Sequence, residues 1–165
     1  MDKISPCLWF DGTAEEAARF YTSIFPNSRI TSVDRSPGET PSGPKDMVLT
    51  VGFELDGRSF IALNGGPDFQ FNEAISLSID CADQAEVDRY WDALLAGGGE
   101  ESVCGWLRDR FGVSWQVVPR RLPELMNGPD REAAARALAA MLKMVKIDVA
   151  ELERAARGEP VGSRA

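Results

Sequence analysis

Residues 74–99 read AISLSIDCADQAEVDRYWDALLAGGG, and residues 4–27 read ISPCLWFDGTAEEAARFYTSIFPN. Each stretch opens on a short apolar run rich in strand formers and continues with apolar residues at helical spacing. Ala74 to Asp80 reads as a strand, and Asp83-Gln-Ala-Glu86 has the spacing of a capping box, in which the outer side chains satisfy backbone N–H groups reciprocally. Val87, Tyr90, Trp91, Leu94 and Leu95 then form a helical stripe that Gly97-Gly98-Gly99 ends. In the earlier stretch Ile4 to Phe10 is the strand, Asp11-Gly12 the turn and Thr13-Ala-Glu-Glu16 the cap. A helix over Thr13 to Phe25 follows, with Ala17, Phe20, Tyr21 and Ile24 on its stripe.

What lies between and after the two stretches completes a repeat. Arg29 to Arg35 is a strand, and the breakers of Ser36-Pro-Gly-Glu-Thr-Pro-Ser-Gly-Pro44 make a loop. Met47 to Leu55 and Arg58 to Asn64 are strands joined by Asp56-Gly57, the strongest short hairpin signal. Glu101 to Leu107 and Val113 to Pro119 are strands of the second half, separated by the turn Asp109-Arg-Phe-Gly112. The fold class is therefore α+β, with paired strand-helix-strands modules over residues 1–120, about 1–66 and 74–120. Residues 121–158 form a helical extension: one helix from Arg131 to Lys146 carries Leu138, Met141, Leu142 and Val145, and another begins at the cap Asp148-Val-Ala-Glu151. Residues 159–165 read as a frayed tail.

Composition closes many routes to function. Lys plus Arg is 18 against 26 Asp plus Glu, a net charge of −8, and no basic tract is present, which argues against nucleic acid and anionic membrane as partners. The sequence holds no histidine, so the commonest general base and zinc ligand are missing. The three cysteines, Cys7, Cys81 and Cys104, are odd in number and widely spaced, and read as reduced thiols. With no signal-peptide pattern after Met1 and no membrane-length apolar run, a cytoplasmic location is expected.

Strand alternation separates an oily face, suited to pack under the helices, from a small or polar one. It assigns Ile4, Leu8 and Phe10 to the oily side of the first strand, and Ser5, Cys7 and Trp9 to the other. In the hairpin strand Ile61 and Leu63 oppose Phe60, Ala62 and Asn64. Ile75, Leu77 and Ile79 oppose Ala74, Ser76, Ser78 and Asp80, and Val113, Trp115 and Val117 oppose Ser114, Gln116 and Val118. The polar set, with Trp106, reads as a small-molecule cleft of apolar walls and sparse hydrogen-bonding groups. A plain solvent-facing sheet is the competing reading, but Lys and Glu, usual on such a surface, are missing from this face.

The wording of several segments resembles a known group. Cys7-Leu-Trp-Phe-Asp-Gly12, Ile24-Phe-Pro-Asn-Ser28, Leu63-Asn-Gly-Gly-Pro67, Phe71-Asn-Glu-Ala-Ile75, Val87-Asp-Arg-Tyr-Trp91, Cys104-Gly-Trp-Leu107 and Trp115-Gln-Val-Val-Pro119 look like the PhnB-like family of the glyoxalase/bleomycin-resistance/dioxygenase (vicinal oxygen chelate) superfamily, from about Ile4 to Ala156. That family is also labelled a 3-demethylubiquinone-9 3-methyltransferase domain. The resemblance implies paired βαβββ modules whose strands make an open curved sheet around a cleft, in a homodimer. It also implies a divalent metal held by His and Glu. Carried over by local motif, those positions fall near Ser5, Ala62, Ala74 and Gln116, none an ionisable ligand, so neither metal nor other cofactor is expected. The methyltransferase label finds no Gly-rich loop between a strand and a helix near the start.

The resulting expectation is a glyoxalase-like protein that binds a small organic ligand in a metal-free cleft formed by Ser5, Cys7, Trp9, Phe60, Ala62, Asn64, Ser76, Ser78, Trp106, Ser114 and Gln116. The alternative is an enzyme acting on a quinone or other oxygen-rich compound, with Cys7, Asn64 and Gln116 polarising a substrate oxygen. Cys7 is a weak nucleophile candidate, having no histidine and no nearby Lys or Arg in sequence to lower its pKa. A homodimer is expected, with the stripe of Leu138, Met141, Leu142 and Val145 contributing to or bordering its interface.

Overall fold

A computed structural model describes residues 3–160; residues 161–165 of the expected tail lie outside the described residues. The chain divides into two compact units, Met1–Phe71 and Asn72–Ala165.

The first unit runs β1 (Cys7–Phe10), α1 (Ala14–Ile24), β2 (Arg29–Arg35), β3 (Val48–Leu55) and β4 (Arg58–Asn64), with sheet order β1-β4-β3-β2. β1 lies parallel to β4, and the other pairs are antiparallel. Asp56 and Gly57 both take positive φ, as the tight β3–β4 turn requires. α1 buries Ala14, Ala17, Ala18 and Tyr21. Tyr21 stacks on Phe53, which stacks in turn on Phe60.

The second unit repeats the order: β5 (Leu77–Cys81), α2 (Gln84–Leu95), β6 (Glu100–Glu101), β7 (Trp106–Arg108) and β8 (Ser114–Pro119), arranged β5-β8-β7-β6. Again the first strand lies parallel to the last. Neither four-stranded sheet closes on itself. Val87, Tyr90, Trp91 and Leu94 of α2 are buried with Ile79, Leu107, Trp115 and Val117 of the sheet. Asp109, itself buried, accepts from the backbone N–H groups of Phe111 and Val113 and from Trp115 Nε1, which fixes the turn before β8.

This unit continues into α3 (Arg121–Met126), α4 (Arg131–Met141) and α5 (Val149–Ala156). They enclose a small core of Leu122, Ala140, Met144, Ile147, Leu152 and Ala155. The segment between α4 and α5 is tied to the rest of the unit by backbone and side chain. Cys104 N–H and Gly105 N–H donate to the carbonyls of Met144 and Val145. Gln84 donates to Ile147 O and accepts from Val149 N–H. Lys146 pairs with Asp88 at 2.7 Å and, together with Gln84, holds that carboxyl below its ordinary range.

Four local readings change. The first strand starts at Cys7, leaving Ile4 89 % exposed rather than on the oily face. Ala74 to Ser76 precede β5, and Ile75 is exposed. The expected helix over Arg131 to Lys146 stops at Met141, because the following residues must leave the helix to bond Cys104 and Gly105. The run Glu101 to Leu107 resolves into two antiparallel strands around Ser102–Gly105, supplying the third strand of the repeat.

Candidate functional site

Each sheet has one face under its helix and one facing away, and the register decides which residues belong to which. In the first unit Leu8 pairs with Ala62 and Phe10 with Asn64, while Val51 and Phe53 pair with Ala62 and Phe60. All are buried on the helix side. Phe60, Ala62 and Asn64, expected in the cleft, therefore belong to the core, and Ile61 and Leu63 face away beside Cys7 and Trp9. The reversal has a physical reason. Phe60-Ile61-Ala62-Leu63 is apolar on both faces, so the one polar residue governed the assignment, and its amide proves to be structural. Asn64 Oδ1 accepts from Ala14 N–H at 2.9 Å, capping α1, and its Nδ2 donates to Val48 O at 2.9 Å. Neither end of that amide is left to polarise a substrate oxygen.

On the away-facing side Trp9 Nε1 donates to Gly66 O, and Phe69 meets the indole edge-on at 5.0 Å. A Cβ on Gly65 would lie 2.2 Å from the Trp9 ring, so the Gly-Gly-Pro segment serves as the floor of an indole. Phe71 packs on Phe10, on the opposite face of β1. Phe69 was not foreseen as a neighbour of Trp9; its only signal was an apolar residue in a breaker-rich stretch. Ser5 is half-buried, ahead of β1, and its Oγ is buried without a hydrogen-bond partner among the described residues. Cys7 is exposed, yet partial desolvation pushes its thiol up, away from the thiolate form.

In the second unit the register sets the strand residues of the row, while Ser76 lies ahead of β5. Gln116 pairs with Ser78 of β5 on one side and Trp106 of β7 on the other, so the three form one row on the face away from α2. Ser114, paired with Arg108, lies one row along. Gln116 Nε2 donates to Ser76 Oγ at 2.8 Å, which sets the amide and leaves Oε1 as an unused acceptor. Ser114 is 3 % exposed, and its hydroxyl has no hydrogen-bond partner among the described residues. Charges bordering the row are paired within the chain: Arg108 with Glu100 at 2.6 Å and Asp80 with Arg120 at 2.8 Å. Arg121 is taken up by Glu124 and Glu153. Trp91 and Trp115 are core residues, as their stripes implied. Cys81 is fully buried, and burial first, then Glu86 and Asp80, push its thiol up to about 12.

The donor set does not suit a divalent metal. Of the carried-over positions, Ser5 and Gln116 offer only neutral oxygens, Ala62 lies on the helix side, and Ala74 is an exposed alanine before β5. Among the described residues no three His, Cys, Asp or Glu side chains come together as a metal site. No helix of the described residues is long and apolar enough to cross a membrane.

Two units of β-α-β-β-β order, each with its first strand parallel to its last, define a glyoxalase-like fold. Residues 2–118 match the family described as 3-demethylubiquinone-9 3-methyltransferase, and the chain belongs to that family. It is 35 % identical to a protein from Bacillus cereus titled a putative 3-demethylubiquinone-9 3-methyltransferase, PhnB protein, with a TM-score of 0.64 over 72 % of this chain and 99 % of that one. Protein PA1353 from Pseudomonas aeruginosa shares the fold at 24 % identity and a TM-score of 0.59, over 72 % of this chain and 98 % of that one. A glyoxylase/bleomycin resistance protein/dioxygenase domain from Frankia sp. EAN1pec also aligns, at 16 % identity and a TM-score of 0.43 over 72 % of this chain and 92 % of that one. No curated protein matches the chain.

Proposed function

We propose that the chain binds an uncharged small organic molecule on the Ser78–Gln116–Trp106 row of its second unit, without a metal. The observation that carries the reading is the buried, unpartnered hydroxyl of Ser114 one row from a Gln116 amide whose free end is an acceptor. A buried hydroxyl without a partner costs about 1–3 kcal/mol, so a group that bonds it recovers free energy nothing else on this face supplies. Trp106, half-buried, offers a flat apolar wall beside the two polar groups. Because Arg108 is paired with Glu100 and Arg120 with Asp80, the ligand has no net charge to neutralise. Its edge carries a donor for Gln116 Oε1 and a group that bonds the Ser114 hydroxyl.

Binding rather than turnover is the proposed role, since Asn64 is committed to α1 and desolvation shifts the Cys7 thiol upward, away from the reactive thiolate. The test is a thermal-shift screen of neutral aromatic and heterocyclic metabolites, repeated on Ser114→Ala and Gln116→Leu. A bound compound raises the melting temperature by mass action. Each variant is expected to keep the unliganded melting temperature within a few degrees and to weaken the best compound about tenfold, the loss of one hydrogen bond. A best compound that binds both variants as tightly as the parent overturns the proposal.

A further inference from the structure

Trp106 owes its place in the row to a part of the chain that the family match does not reach. The match ends at residue 118, and α3–α5 follow it. The turn that delivers the indole is closed by Trp106 N–H on Val103 O and by Ser102 N–H on Trp106 O. Inside it Cys104 and Gly105 stand in succession at φ of 59° and 81°. A residue with a Cβ stays in that left-handed region only where its surroundings hold it there. Here the hold comes from the segment between α4 and α5. Cys104 N–H and Gly105 N–H donate to Met144 O and Val145 O, both at 2.8 Å. Ile147 lies so close behind them that a Cβ on Gly105 would come within 2.9 Å of its Cγ1. The segment is itself fixed from two sides. Met144 and Ile147 are buried in the small core with Leu122 and Leu152. From α2, Gln84 Nε2 donates to Ile147 O at 3.0 Å and its Oε1 accepts from Val149 N–H at 2.8 Å, while Asp88 pairs with Lys146.

We propose that residues 144–147 brace the turn before Trp106, and that Gln84 is a positioning residue for the Trp106 wall, acting through that brace. That the wall serves a ligand rests on the reading of the row given above. The row faces away from α2, so Gln84 acts on a ligand there only by way of the turn. Loosening the brace lets Cys104 and Gly105 leave the left-handed region, and the indole, next along the chain, moves with them. The flat wall beside Gln116 is then lost while the polar groups of β8 stay in place.

The test compares the full chain with Gln84→Leu and with Lys146→Met, a milder break that gives up only an exposed ion pair and so leaves folding intact. Two readings need no ligand: amide hydrogen exchange at Cys104 and Gly105, and the indole N–H resonance of Trp106, assigned with Trp106→Phe. Gln84→Leu is expected to speed exchange at both amides about tenfold and to shift the indole resonance, with exchange along β5 unchanged. Lys146→Met should move both readings the same way and less far. The compound that the row binds best should weaken about tenfold in Gln84→Leu while the unliganded melting temperature stays within a few degrees, a split that a merely structural residue would not give. Exchange and indole resonance unaltered in both variants overturn the brace, whether or not a ligand is in hand. Altered readings with undiminished affinity overturn its service to the ligand. A best compound indifferent to Ser114→Ala and Gln116→Leu strikes the reading of the row alone, and the ligand-free measurements still decide the brace.

Discussion

The two units build the same order of elements but begin their helices by different means. α2 is capped by its own sequence: Asp83 accepts from Glu86 N–H at 3.0 Å, and Glu86 returns to accept from Ala82 N–H at 2.8 Å. α1 has an equally good motif, Thr13-Ala-Glu-Glu16, yet Thr13 makes no side-chain cap bond, and its φ of −104° and ψ of 11° are not the extended geometry an N-cap needs. The cap comes instead from Asn64, at the end of the strand paired with β1. The position matching Asn64 in the second unit is Pro119, which has no such side chain to offer. A capping motif therefore states where a helix starts, while the fold decides who satisfies its first N–H.

That contrast can be broken at several points. The largest expected effect is Asn64→Ala, which strips partners from both Ala14 N–H and Val48 O and should lower stability by about 2–4 kcal/mol in urea unfolding. A loss below about 1 kcal/mol would mean that water replaces the amide and that the first unit has no special dependence on it. Next in size is a pH effect confined to the second unit, where Cys81 occupies the strand-end position that Phe10 holds in the first. Its thiol is raised from 9.0 to about 12, so the native chain keeps a proton that the unfolded chain releases. Stability is then full below pH 9 and falls as pH climbs toward 12, by up to ~1.4 kcal/mol per pH unit. Cys81→Ala should flatten that decline; an identical slope in both proteins would place its origin elsewhere. The smallest effects compare the two caps directly. Asp83→Ala should cost about 1 kcal/mol and Thr13→Ala no more than a few tenths, so equal losses would erase the distinction.

What could be read from the sequence follows from where local chemistry speaks alone. β2 and β4 came out with their observed bounds because Pro26-Asn27, Asp56-Gly57 and Gly65-Gly66-Pro67 punctuate them without ambiguity. The face of β8 was legible because Trp115 and Val117 outweigh Ser114 and Gln116, so only one side could go under α2. The face of β4 was not, since both of its sides are apolar and Asn64, the apparent marker of an outward face, is held inside by two backbone groups distant in sequence. The early end of α4 was equally hidden, because the pull on residues 142–147 comes from Cys104 and Gly105, some forty positions away, while their own periodicity continues a helix. The acidic neighbours of Arg108 and Arg120 are likewise supplied by the fold, which sets Glu100 beside the one and Asp80 beside the other.

The reach of Asn64 also sets an order of events as the chain is made. α1 emerges from the ribosome with its cap still fifty residues downstream in the message, so it cannot settle until the β3–β4 hairpin has formed and delivered that side chain. α2 carries its cap within its own first turn and is competent as soon as it appears. Although the first unit is synthesised first, it has to wait for a long-range contact, whereas the second can begin from local structure.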